Sequence, residues 1–348
     1  MVADLSGEWA VVGAGPAGIA TVGSLIDAGV DERHIIWIDP QFEVGDFGTS
    51  WQHVLSNTPA SSFVKFYRDV KAFEFGIDGR THFVENAPQD YPVFLGTAAD
   101  PLREITARLR SRVAALVDRA VQITKAENGW RLTLASGQTT TASRVVLALG
   151  AVPKRLNIAG LKEIPLTIAL HPKALNECIA PVDRVAVFGD AQSARSVLKN
   201  LARTQVSRVF HFYHSRRSVE RHMDPEDYEF ATSLPAQPAH MIDTIPSCTK
   251  VIYGIGFERR SIQIDGLPSD FGYDSRTGII APGLFGLGIA FPEVRAHEMG
   301  HAVHRVAALW PTMRRLQKCL PIWLGTAKTM SGNETSTYGD YTEGEPVF

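Results

Sequence analysis

Two stretches of the 348-residue chain carry residue types whose spacing implies a bound phosphate group. In the first, Trp9-Ala10-Val11-Val12 runs into Gly13-Ala14-Gly15-Pro16-Ala17-Gly18 and then into the small-residue stretch Ile19-Ala20-Thr21-Val22-Gly23. That order reads as a buried strand, a glycine turn and a helix. Gly13 permits the tight turn, Gly15 lets backbone approach a pyrophosphate, and Gly18 lets the helix pack on the strand, with the helix N-terminus facing the anion. Gly13, Gly15, Pro16, Ala17 and Gly18 are therefore candidate cofactor contacts. A second strand, Ile35-Ile36-Trp37-Ile38, ends in Asp39, whose carboxylate can accept from ribose hydroxyls.

The same order returns later. Val185-Ala186-Val187-Phe188 leads into Gly189-Asp190-Ala191-Gln192-Ser193-Ala194, a helix over 195–203 and the strand Val209-Phe210-His211-Phe212-Tyr213. This reads as an internal duplication of the nucleotide-binding unit. Ala191 replaces the middle glycine, so backbone approaches phosphate less freely, and no acid ends the second strand. Ser215-Arg216-Arg217-Ser218 follows instead, which suits a ribose 2′-phosphate and hence NADPH over NADH. Plain solubility is the other reading of two arginines there. Gly189, Ser193, Ala194, Arg216 and Arg217 are the candidate contacts of this unit.

His297-Glu298-Met299-Gly300-His301 fits the HExxH pattern of zinc-binding helices. A zinc site needs its own cleft and a further ligand, and this match falls inside the last helix expected for a nucleotide-binding domain. No metal is expected.

The elements that must position these residues are drawn from a chain that is 45% hydrophobic, long enough for two compact units. A net charge of −2 gives no global field for nucleic acid or an anionic membrane. No signal peptide or membrane span is expected. Cys178, Cys248 and Cys319 include no CxxC, fitting a reducing cytoplasm and excluding a CxxC redox dithiol. Residues 40–68 show neither helical nor strand period and read as a long ordered loop. Its segments Gly48-Thr49-Ser50-Trp51 and Ser56-Asn57-Thr58-Pro59 are candidates for lining a site.

A helix is expected from Pro101 through Leu116, then antiparallel strands over 121–125 and 130–134 around Asn128-Gly129. The buried strand 144–150, ending at Gly150, closes the first domain. Residues 218–247, rich in proline, read as loop. Residues 250–256 return to strand, 279–288 follow, and a helix is expected from Pro292 through Leu309. The domains expected are 1–152, 153–249, 250–330 and a polar tail over 331–348. The fold class is α/β, two Rossmann-like dinucleotide-binding units with the second inserted into the first.

These motifs together, over roughly residues 8–310, resemble the two-domain FAD-dependent pyridine nucleotide oxidoreductases. The resemblance implies FAD in the first unit and a nicotinamide nucleotide in the second. Lacking CxxC, and carrying Trp51 to Pro59, the chain looks more like the flavin monooxygenase branch than the thioredoxin-reductase branch. By that resemblance Trp51 and Gly150 lie with the cofactor, and Asn57 sits beside the flavin C4a, helping to hold a hydroperoxide. His171 is similar in placement to the fingerprint histidine of Baeyer–Villiger and N-oxygenating members. The family usually places an aspartate after the glycine equivalent to Gly288, bonding the ribityl chain; Ile289 stands there. N–H groups at the helix start near Pro292 are expected to act on the flavin instead.

The reading that follows is an NADPH-dependent FAD monooxygenase oxidising a small molecule through a C4a-hydroperoxide, in the cytoplasm, with no nucleic-acid partner and with homo-oligomerisation left open. Two alternatives stand beside it. One is a flavin oxidase or reductase passing electrons to oxygen, a quinone or a protein; the other is an FAD-binding protein with a decayed nicotinamide site and a structural or interaction role.

Overall fold

A computed structural model describes residues 5–296, 303–306 and 308–326. The chain divides into two units, one made of the residues through Gly150 and from Arg259 on, the other of Ala151–Glu258.

The first unit is built on strand β1 (Leu5–Val12), helix α1 (Pro16–Asp27) and strand β2 (Ile35–Ile38). Burial along β1 alternates over its first half and is continuous over Trp9, Ala10, Val11 and Val12. Such a run marks a parallel strand covered on both faces. Trp9 and Val11 enter one core with α1 and the helices Leu95–Arg112 and Leu309–Leu324; Ala10 and Val12 enter another with Ile123, Leu132 and Phe291. β1 lies parallel between β2 and Thr139–Leu147, and Leu284–Gly286 runs parallel beside that strand. Ala120–Ala126, Gly129–Leu134 and Thr139–Leu147 continue the sheet as an antiparallel meander; the first hairpin forms where expected, its turn at Glu127-Asn128 and Gly129 already paired with Ala126. Among the described residues no helix is long and apolar enough to cross a membrane.

In the second unit, strand β3 (Arg184–Phe188), helix α2 (Gln192–Leu201) and strand β4 (Arg208–Tyr213) repeat the arrangement. The sheet is parallel, in the order Lys162–Glu163, Lys250–Tyr253, β3, β4, Thr232–Pro235.

Five expectations are corrected. Residues 40–68 hold two helices, Gly45–Gly48 and Ala60–Arg68, and the strand Leu55–Pro59, which pairs with Pro92–Phe94. The helix expected from Pro101 begins at Leu95 and ends at Arg112, and Ala114–Leu116 is a strand beside β2. Residues 218–247 are not loop: helix Arg216–His222, strand Thr232–Pro235 and helix Pro238–Thr244 lie there. Pro235 is tolerated because its strand is at the sheet edge, and Pro238 because it opens a helix. Lys250–Tyr253 belongs to the second unit, paired with β3, so the return to the first unit comes at Arg259 and not at 250. Finally, the chain after Pro292 forms the strand Glu293–Ala296, antiparallel to Val303–Val306, and the last helix starts only at Leu309.

Candidate cofactor site

The first turn is held by contacts that leave one place open. Gly13, at φ +107°, donates its N–H to Ile38 O at 2.8 Å, and its carbonyl accepts from Trp37 Nε1 at 3.0 Å. A methyl group on Gly13 would lie 2.3 Å from Ala148 O, and one on Gly18 would lie 1.9 Å from Gly13 O. These two glycines are required by backbone packing. Gly15 differs: it has ordinary extended backbone (φ −74°, ψ 177°), and the atom nearest to a methyl there is Val44 O at 3.9 Å. No side chain caps α1, Pro16 opens it, and its first turn carries no acid. The first N–H groups are thus left for an anion in front of Gly15. This open cradle fits the pyrophosphate of a dinucleotide.

Asp39 is buried at the end of β2, and backbone claims most of its carboxylate. Oδ2 accepts from Ala14 N–H at 2.8 Å; Oδ1 accepts from Gln41 and Phe42 N–H at 2.8 and 2.7 Å. A carboxylate has about four acceptor sites, so roughly one remains for a ribose hydroxyl. Asp39 therefore joins the glycine turn to a bend where Phe42 and Val44 adopt positive φ, 57° and 62°. That bend brings Gly45 against Gly15. Arg103, bonded to Gly48 O and Glu43, and Arg260, paired with Asp46, fix the segment from outside. Neither arginine nor Trp37 was marked by a sequence motif, although a lone tryptophan within an isoleucine strand was visible.

Asn57 and Trp51 lie in the same unit. Trp51 is half-buried, its N–H bonded to Asp46 O. Asn57 is half-buried on the ribbon Leu55–Pro59, its Oδ1 accepting from Thr58 Oγ1 at 3.3 Å; neighbouring Ser56 accepts from Val93 N–H and donates to Thr58 O. Gly150 takes φ +71° and its carbonyl accepts from Arg260 N–H. Gly288, at φ +83°, lies so near α1 that a methyl on it would meet Ala17 Cβ at 2.7 Å; half-buried Ile289 follows. Strand replaces the helix expected near Pro292, so no helix start supplies N–H groups there. His171 caps the helix Pro172–Cys178, its Nδ1 accepting from Ala174 N–H.

The second turn repeats the first with different side chains. Gly189, at φ +135°, donates to Phe212 O at 2.9 Å. Its carbonyl lies 2.7 Å from Nε2 of buried His211, whose Nδ1 lies 3.1 Å from Ser233 Oγ. A carbonyl only accepts, so Nε2 carries the proton and Nδ1 takes the serine hydroxyl hydrogen. Burial pushes the His211 pKa below its ordinary value, consistent with this neutral ring. The register Val12↔Ile38 and Phe188↔Phe212 makes His211 the counterpart of Trp37, and Tyr213 that of Asp39.

Ala191 precedes α2 with no side-chain cap; Ser193 is half-buried and Ala194 buried against Gly254. Asp190 Oδ2 accepts from Ser215 N–H at 2.7 Å. Arg216 is paired with Glu220 at 3.1 Å and lies over the Tyr228 ring, whereas Arg217 is exposed and makes no ion pair among the described residues. The HExxH match at His297 to His301 lies outside the described residues; among those described, no group of three or more His, Cys, Asp and Glu could hold a metal ion.

A family model described as FAD-NAD(P)-binding matches residues 10–152. Monooxygenase AgnR1 of Paecilomyces divaricatus is 26% identical over 385 residues, covering 90% of this chain and 97% of the relative. Among solved structures, the flavin-containing monooxygenase from Stenotrophomonas maltophilia superposes with a TM-score of 0.62 at 16% identity, over 92% of this chain and 99% of that one. The bacillithiol disulfide reductase Bdr (YpdA) from Staphylococcus aureus does so with 0.61 at 11%, over 93% and 100%. One fold thus serves an oxygenase and a disulfide reductase, and the fold by itself does not choose the reaction. Residues 10–152 match an FAD-NAD(P)-binding family model, and along most of its length the chain is similar to a monooxygenase and shares its fold with a flavin-containing monooxygenase.

Proposed function

We propose that the chain is an NADPH-dependent monooxygenase acting on a small molecule. In the overall reaction NADPH, a proton, dioxygen and substrate yield NADP⁺, water and the oxygenated product. The observation that carries this reading is the match to a monooxygenase along nearly the whole of both chains, in a sequence without the CxxC that a redox-active dithiol would use. FAD, when bound, supplies two-electron chemistry with the nicotinamide and with oxygen. The protein supplies position. The open face of Gly15 and the start of α1 take the FAD pyrophosphate, and Asp39 holds the turn and offers one acceptor to the ribose. Asn57, whose amide both donates and accepts, polarises the oxygen-reacting edge from a hydrogen-bonded ribbon. Arg217 offers its charge to the 2′-phosphate of NADPH.

Anaerobic mixing with NADPH should bleach the flavin absorbance, and readmitting oxygen with substrate should return product in preference to hydrogen peroxide. Asn57→Ala should keep FAD yet divert NADPH electrons to peroxide. Stoichiometric peroxide from wild type, indifferent to Asn57, would put a flavin oxidase in its place. A second reading, a flavoprotein that nicotinamide does not reduce, draws on Ala191 and on the carboxylate of Asp190 at the second turn; absence of bleaching would select it.

A further inference from the structure

The two nucleotide turns use the same bond with its ends exchanged. In the first unit the turn provides the donor, Ala14 N–H, and the strand end provides the carboxylate of Asp39. In the second unit the turn provides the carboxylate of Asp190, and the residues past the strand end provide the donor, Ser215 N–H, again 25 positions away. We propose that Asp190 is the residue that restrains recognition of the NADPH 2′-phosphate, and so sets how far the second site favours NADPH over NADH. This rests on the reading of the second unit as a nicotinamide nucleotide site.

The inference follows from what a 2′-phosphate needs. In a unit of this kind the adenosine ribose lies beyond the end of the second strand, where an acid accepts from its hydroxyls or a cation meets its phosphate. Here Tyr213 occupies the place that Asp39 holds in the first unit, so no strand-end acid opposes the phosphate. The opposing charge comes from the turn instead. The Asp190 carboxylate already occupies the Ser215 N–H that a phosphate oxygen at the strand end would take. It also sets an anion where a second anion must come.

The cations nearby do not cancel this twice over. Arg216 is committed to Glu220 and to the Tyr228 ring, leaving Arg217 as the arginine of the pair without an ion pair among the described residues. Asp190 is also tied through its own carbonyl, which accepts from Ser218 Oγ at 2.9 Å. An amide at position 190 would preserve both bonds, because its oxygen can still accept from Ser215 N–H. Asp190→Asn therefore removes the charge and keeps the shape.

The test is calorimetric titration of the FAD-loaded full chain, wild type and Asp190→Asn, with 2′,5′-ADP and with 5′-AMP as probes. The variant should bind 2′,5′-ADP at least tenfold more tightly and 5′-AMP within twofold of wild type. Asp190→Ser, which loses charge and reach together, should show the same selective gain, and thermal melts of each variant establish that the unit is folded. An equal change for both probes, or none, would overturn the role of Asp190 while leaving the nicotinamide site standing. If neither probe binds wild type or either variant, the nicotinamide reading fails and the role of Asp190 fails with it.

Discussion

The three glycines of the first turn look alike in sequence and should behave differently on mutation. At Gly18 an alanine methyl would lie 1.9 Å from a backbone carbonyl, over 1 Å inside any tolerated contact, so backbone must move. Overpacking of this sort costs about 1–3 kcal/mol or more, and Gly18→Ala should lose that stability with or without FAD. At Gly15 the backbone is extended and nothing stands within 3.9 Å of the methyl. Flavin-free Gly15→Ala should therefore be as stable as wild type, or more stable by about 0.4–1 kcal/mol through a less flexible unfolded chain. Its defect should appear only when FAD is added, because the methyl takes space meant for the pyrophosphate. At an FAD concentration of about 100 times the wild-type Kd, binding stabilises wild type by about 2.7 kcal/mol; a variant weakened about 100-fold gains only about 0.4 kcal/mol. Thermal unfolding of flavin-stripped protein over graded FAD reads both quantities. A Gly15→Ala protein that gains as much from FAD as wild type, or that is destabilised without FAD as Gly18→Ala is, would refute the cradle.

Asp39→Ala strips the acceptor from three backbone N–H groups and should destabilise even the flavin-free protein by about 3 kcal/mol, measured by denaturant unfolding; unchanged flavin-free stability would mean that Asp39 serves only the ribose. Arg217→Ala should weaken NADPH binding at least tenfold and leave NADH within twofold, since a charge-assisted contact is worth about 1.5–3 kcal/mol. Arg216→Ala should do less, its charge being met by Glu220 already. His211 is held neutral by burial, below its ordinary pKa of 6.5, so the unfolded chain takes up a proton that the folded one refuses. Stability should accordingly fall as pH drops below about 6.5, and the difference between wild type and His211→Gln across pH 5–8 should carry that slope.

The first βαβ unit was legible because Trp9 to Val12, buried on both faces, is followed at once by glycines that backbone contact demands. Where the chain relied on short elements the signal was weaker. Glu293–Ala296 and Val303–Val306 are four residues each, too short for a period of two to outweigh Pro292 and the apolar residues spaced as on a helix behind it. Helix Ala60–Arg68 buries Phe63, Phe66 and Tyr67, but Pro59 precedes it with no side-chain cap to announce the start. The prolines over 218–247 concealed an edge strand and a helix, because proline marks an edge and a first turn as readily as a loop. At the site, the candidate residues of the turns were readable by type. Asp39 as a brace for the backbone was not, because which atoms meet a carboxylate depends on the bend that follows it.

The same limit hid how the two units correspond, because the hydrogen-bonded register, which sets Asp39 against Tyr213 and Trp37 against His211, is a property of the paired strands. Those last two side chains do one thing by different chemistry: each sends a ring N–H into the carbonyl of the first glycine. In a planar trans peptide the following N–H must then point the opposite way, away from that ring. In the first unit that N–H belongs to Ala14 and is received by Asp39. In the second it belongs to Asp190 and meets no acceptor among the described residues. One turn has its acceptor built into the protein, whereas the other has none among the described residues, and under the proposed nicotinamide reading that donor is where an oxygen of the nucleotide would bind.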